Sequence, residues 1–177
     1  RLNHNAVRQH LAKLRDAGLV EEHRAPPSGP GRPPARFRAV VEADDRLRST
    51  EASELLALML LELVAGSDDP LAVGREAGRR LAEEGGPTRG AVPDLDRVAR
   101  RLGFEPEVRE RGCGADVVLA RCPFVGPASA APDVVCRLHR GLAEGVAERA
   151  GDGAQVTDLV ARPPARAGCR IEVRPRP

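Results

Sequence analysis

The sequence predicts an α+β protein in two parts, and three features of its pattern carry that expectation. The first forty residues run helix, strand, Pro/Gly-rich loop, strand. The next sixty hold three helical segments with apolar stripes. The remainder alternates short strand patterns around one long amphipathic helix. Helices first, then a small antiparallel sheet with a helix packed on it, is one of the few layer arrangements that buries every apolar face. The expected domains are residues 1–43 and 44–177.

Taken in order, Asn3 suits an N-cap, and Val7, Leu11 and Leu14 recur at i, i+4 and i+7 along a helix expected over Ala6–Ala17. Gly18 suits the left-handed position that closes it. Leu19 and Val20 open a strand to about His23. Residues 25–34, with five prolines and two glycines, read as an extended loop, and Ala35–Val41 as the returning strand. That strand puts Phe37 and Ala39 on one side and Arg36 and Arg38 on the other. Asp44–Arg48 reads as a polar link, after which Ser49 or Thr50 caps an apolar helix over Glu51–Ala65. Its polar stripe is limited to Glu51, Glu54 and Glu62, so most of its circumference calls for burial. Asp69-Pro70 opens a helix to Glu84, with proline where its missing N–H costs nothing. Another spans Pro93–Leu102 and stops at Gly103. Glu107–Arg111 and Asp116–Arg121 form a hairpin around Gly112-Cys113-Gly114. Asp133–Ala150 is a helix with Val135, Leu138, Leu142 and Val146 inward, and Gln155–Ala161 pairs with Cys169–Val173.

The net charge of +2 conceals an asymmetry: residues 1–40 carry +5 and the other 137 residues −3. A basic end on a mildly acidic body is the distribution expected where one end meets a polyanion. The longest apolar run, Leu55–Leu61, falls far short of the roughly 18 residues that span a bilayer, so no membrane partner is expected. Four cysteines without a dense framework suit a reducing cytoplasm. The sequence contains no nucleophile–base–acid set and no phosphate loop, which argues against an enzyme.

The outer face of the first helix offers Asn5, Arg8, Gln9 and Lys13. Asparagine and glutamine pair bidentately with adenine and arginine with guanine, so these residue types suit base readout in a major groove. The proline-stiffened loop presents Arg32 at its tip, flanked by Arg24, Arg36 and Arg38. An arginine held out on a stiff backbone fits a narrow, A·T-rich minor groove. Helix, strand, loop and strand then read as a recognition helix followed by its wing, with double-stranded operator DNA as partner. Reading of paired half-sites implies a homodimer.

The runs Asn3–Leu11 and Leu14–Glu22 and the Gly31-Arg32-Pro33 wing resemble winged helix–turn–helix transcriptional regulators of the arsenic-repressor superfamily. The resemblance is to the branch that includes repressors of iron–sulfur cluster assembly operons. It implies two helices ahead of the recognition helix; these residues lack them, so a partial, N-terminally truncated winged helix is expected.

Cys113, Cys122, Cys136 and Cys169 are separated by 8, 13 and 32 residues. There is no CxxC pair, so the spacing suits neither a zinc ribbon nor a ferredoxin run, and by itself it reads as buried thiols. The resemblance extends to Cys122-Pro-Phe124, Val135-Cys136, Gly141–Gly145 and the late Cys169. It implies a sensor domain in which Cys122, Cys136 and Cys169 hold an iron–sulfur cluster. Three thiolates leave one ligand position, for which Cys113 on the hairpin tip is a candidate. His139, one turn from Cys136, is a candidate either for that position or as a donor to sulfur. The alternatives are a zinc site, a thiol-redox switch, or an effector domain that binds a small apolar ligand with the cysteines as bystanders.

Overall fold

The computed structural model describes residues 4–24, 35–39 and 41–177. The fold is mixed α+β, with six α-helices and two small antiparallel sheets among the described residues. The chain forms two compact units, Arg1–Arg48 and Ser49–Pro177.

In the first unit, α1 spans His4–Asp16. It ends as its glycine predicts: Gly18 has φ 69°, its N–H donates to the Arg15 carbonyl, and the Leu19 N–H donates to that of Leu14. β1 (Val20–Arg24) pairs antiparallel with β2 (Ala35–Ala39), in a register that sets Glu21 opposite Arg38 and His23 opposite Arg36. Asn3 and the loop at 25–34 lie outside the described residues. Val7, Leu14 and Phe37 each keep more than a third of their surface exposed, so the apolar stripe of α1 is only partly covered.

One expectation fails at the start of the next helix. The polar segment 44–48 is not a link: α2 is continuous over Val41–Val64. Nothing between 41 and 64 breaks a helix, since there is neither glycine nor proline, and carboxylates at 42, 44 and 45 suit an N-terminal turn. Polar composition alone does not make a linker.

In the second unit, α2 buries Ala52, Leu56 and Met59 but leaves Leu58, Leu61 and Val64 exposed. The helix α3 (Pro70–Glu84) starts at Asp69, whose carboxylate accepts the Leu71 N–H at 3.0 Å. It lies against α6 (Pro132–Ala150) at backbone contact. A Cβ on Gly74, Gly78, Gly141 or Gly145 would come within about 2 Å of a carbonyl oxygen of the facing helix, those of Leu138, Leu142, Leu71 and Arg75 respectively. These partners advance together along both chains, so the two helices run parallel. Glycines four apart on each helix allow this approach, because no side chain holds the backbones apart. Arg75 then pairs with Glu144, and Arg79 with Glu148.

With α6 fixed on one side by α3, its other side faces α4 (Ala91–Arg101) and the four-stranded sheet. The strands are β3 (Pro106–Arg111), β4 (Gly114–Leu119), β5 (Ala154–Val160) and β6 (Cys169–Pro175), in the order β3-β4-β6-β5, all antiparallel. The last strand is therefore central, and Val117, Leu119, Ile171 and Val173 from the two middle strands are buried in the core. A short helix, α5 (Val125–Ala130), follows β4 and is absent from the sequence expectation. On β4, buried Asp116 accepts hydrogen bonds from Arg174 and Arg111, with Arg170 3.7 Å away.

Candidate functional site

In the first unit, Asn5, Arg8, Gln9 and Lys13 are all exposed on α1. At helical spacing they share one face, as expected. Arg36 and Arg38 are exposed on β2 and alternate with Phe37, on the same side of the ribbon as Glu21 and His23. Arg24 is the last residue of β1, and Arg32 falls outside the described residues.

In the second unit, one cavity is lined by three of the four cysteines. It is formed by the segment after β4, the first turns of α6, the start of β6 and the turn before it, and its free interior space, about 20 Å³, is about that of one water molecule. Cys122, Cys136 and Cys169 all line it, as does His139. Each arrives for a local reason. Cys122 follows β4 where the Arg121 N–H returns to the Phe104 carbonyl and turns the chain. Cys136 and His139, three residues apart on α6, share its cavity-facing side. Cys169 opens β6 directly opposite Leu119. The turn before it holds a 3₁₀ segment, Pro164–Arg166, then Ala167 at φ 51°, ψ −155° and Gly168 at φ 80°. Glycine tolerates that region; alanine is strained there.

Two of the three sulfurs are already hydrogen-bonded by backbone. The Arg162 N–H donates to the Cys169 sulfur at 3.3 Å, and the Phe124 N–H to that of Cys122. Burial pushes the Cys122 and Cys136 thiols above their ordinary pKa, and the neighbouring Cys169 sulfur adds to both shifts. At Cys122 the Phe124 N–H acts in the opposite sense. Arg121 and Arg162 line the same cavity.

His139 is 6% exposed. Its ring stacks on Phe104, with centroids 4.4 Å apart and 18° between planes, while Phe124 stands edge-on at 6.2 Å. Burial alone lowers its pKa to about 4, so at neutral pH the imidazole is uncharged and keeps a lone pair.

Cys113 is placed elsewhere. It is exposed on the β3–β4 turn and borders a different groove, with Asp152 and Pro175. The whole length of β4 separates it from Cys122, roughly 17–20 Å of strand. Spacing along the chain did not show this; the hairpin did, because a residue at its tip and one beyond its second strand lie at opposite ends.

Among the described residues, no three His, Cys, Asp or Glu side chains form a ready site for a single metal ion, and none of their helices is long and apolar enough to cross a membrane. Comparison of the chain with known protein families, characterised proteins and solved structures finds no match to any of them.

Proposed function

We propose that this chain is a DNA-binding transcriptional regulator whose second unit senses metal or redox state through an iron–sulfur cluster held by Cys122, Cys136 and Cys169. The observation that carries the sensor half is that these three cysteines, with 13 and 32 residues between them in sequence, line one cavity. Backbone N–H groups aimed at two of the sulfurs support it, because such bonds stabilise thiolates and tune a bound cluster. Arginines at the cavity oppose the negative charge that three thiolates bring. When bound, the cluster supplies sensitivity to iron supply and to oxidants.

Zinc is the weaker reading. Tetrahedral zinc–thiolate sites need sulfurs about 3.8 Å apart around one point, from the ~2.3 Å Zn–S bond. The donors here border a cavity without meeting at a point. A four-iron cluster accepts wider spacing, since there each thiolate binds a different iron. A free thiol switch is also disfavoured: with their pKa values raised, Cys122 and Cys136 are poor nucleophiles.

Support for the DNA half is the helix-and-ribbon unit with Asn5, Arg8, Gln9 and Lys13 on one exposed helix face and Arg36 and Arg38 on the ribbon. In this reading the protein acts as a homodimer on paired half-sites, as double-stranded operator DNA recognition by such units requires. Tying the segment after β4, α6 and β6 to one group stiffens the second unit, and that change in rigidity is the signal passed on.

The test is anaerobic reconstitution with iron and sulfide. Visible charge-transfer absorbance with stoichiometric iron, lost in Cys122→Ser, Cys136→Ser and Cys169→Ser, is the expected result. A colourless protein, or one that takes up zinc stoichiometrically in place of iron, overturns the sensor assignment. For DNA, Arg32→Ala should weaken operator affinity with a smaller dependence on salt; unchanged binding removes the wing from the reading.

A further inference from the structure

The four-stranded sheet has two outer strands, β3 and β5, and on each of them a helix arginine takes a backbone carbonyl. On β3, Pro106 stands opposite Leu119, whose own carbonyl accepts the Gly168 N–H on the β6 side. Backbone groups alternate in direction along a strand, so the Pro106 carbonyl points out of the sheet. Arg100 of α4 donates to it at 3.0 Å. On β5, Arg140 of α6 donates to the Thr157 carbonyl at 3.4 Å, at the irregularity between Val156 and Asp158. Each arginine is held by a carboxylate one turn away on its own helix, Asp96 for Arg100 and Glu144 for Arg140.

The edge of β5 is covered further. Leu159 stands opposite Ile171, which is paired to Val117 of β4, so the Leu159 N–H points outward. The Asp158 carboxylate accepts that N–H at 2.8 Å and is itself bonded by Arg140 at 3.3 Å. Asp158 thus sits where an added strand would set a carbonyl, and Arg140 where it would set an N–H. Aspartate suits a strand poorly, and with side chains 51% and 39% exposed the ion pair adds little stability of its own. An open groove of about 290 Å³ runs between α6 and the end of β5, bordered by Arg140, Leu159 and Ala161, so another chain can reach this edge. Outer strands with open backbone groups recruit other strands.

We infer that Arg140 and Asp158 form a latch that stands in for a neighbouring strand on β5, and that releasing it turns this edge into a strand-pairing surface. In a solution of this chain alone, the strand recruited is the β5 of a second copy.

The test uses the whole chain and two readouts, amide hydrogen exchange at Leu159 and sedimentation velocity over a range of concentrations. In the wild type the Leu159 amide should be protected and the mass distribution should not grow with concentration beyond its resting assembly. In Asp158→Ala at low concentration, Leu159 should exchange at least ~10-fold faster. At higher concentration larger species should appear and protection of Leu159 should return. Arg140→Ala should shift both readouts in the same direction. Asp158→Asn keeps an acceptor oxygen for the Leu159 N–H and should stay close to the wild type. Arg79→Ala, which removes an α3–α6 ion pair away from the edge, should not assemble. The latch is overturned by an Asp158→Ala chain whose mass is independent of concentration, or by an Arg79→Ala chain that assembles equally. A wild-type Leu159 amide that exchanges as fast as those of exposed loops also overturns it, and that result needs no variant to fold.

Discussion

The imidazole of His139 lies flat against the ring of Phe104, 4.4 Å between centroids, in the core between α6 and the end of α4. Burial there favours the uncharged ring and has brought its pKa from 6.5 to about 4. Between those two values the unfolded chain binds a proton that the folded chain refuses. Stability from this group is thus complete above pH 6.5 and is lost as pH falls towards 4, by roughly 3 kcal/mol across the whole window. Urea unfolding of the metal-free protein at pH 7.5 and pH 5 should show a loss that His139→Phe does not share. Equal losses in the two proteins would refute it.

The parallel α3–α6 contact makes a steric prediction. Gly145→Ala places a methyl about 1.9 Å from the Arg75 carbonyl oxygen, and Gly78→Ala one at 2.1 Å from that of Leu142. Each should destabilise by at least about 1–3 kcal/mol, because the backbones must separate. Gly126 on α5 has open space around it, and Gly126→Ala should be neutral or stabilising by up to ~1 kcal/mol. Thermal melts of the three variants decide the matter; equal midpoints would mean the helices do not pack this closely.

At Ala167 the expected sign reverses. Its backbone, at φ 51° and ψ −155°, lies in a region that favours glycine. Ala167→Gly should stabilise the protein by roughly 1 kcal/mol through relief of strain, less the entropy glycine adds to the unfolded chain. Denaturant midpoints test it, and a destabilised variant would show the turn to be unstrained.

The length of β4 separates Cys113 from the cavity that Cys122, Cys136 and Cys169 line. Cys113→Ser should match the wild type in iron and sulfide content and in visible spectrum. Loss of the chromophore in that variant would place Cys113 in the ligand set and contradict its location at the far hairpin tip.

On the ribbon, register predicts unequal arginines. Arg38 stands directly opposite Glu21 in register and Arg36 opposite His23, although the Glu21 carboxylate itself reaches the His23 ring at 3.4 Å. Arg36→Ala should lower the slope of log affinity against log salt by about 1, and Arg38→Ala by less. Binding titrations at several salt concentrations measure both, and equal slopes would remove the distinction.

Much of the fold was legible because its signals are local. Asp69-Pro70 opens α3, Gly18 closes α1, and Gly112-Cys113-Gly114 turns the hairpin, each through the backbone preferences of a few adjacent residues. The stripe Val135, Leu138, Leu142 and Val146 marked the buried side of α6. Two local readings failed. Polar residues 44–48 read as a link although helix propensity is uninterrupted there, and α5 gives no sequence signal because six residues containing Gly126 and Pro127 show no periodicity. The glycine pairs at 74/78 and 141/145 were visible as a spacing, but only their mutual contact gives them meaning.

What the chain determines by itself is which cysteines and histidine are present and which elements carry them. Only the tertiary structure decides that Cys122, Cys136, Cys169 and His139 share a cavity while Cys113 does not. The reason is topological. Cys169 reaches Cys122 because β6 inserts beside β4, and α6 turns Cys136 and His139 inward because glycine lets its opposite side seat on α3. Both are pairings between segments far apart in sequence, fixed by burial of whole faces, and no count of intervening residues encodes them.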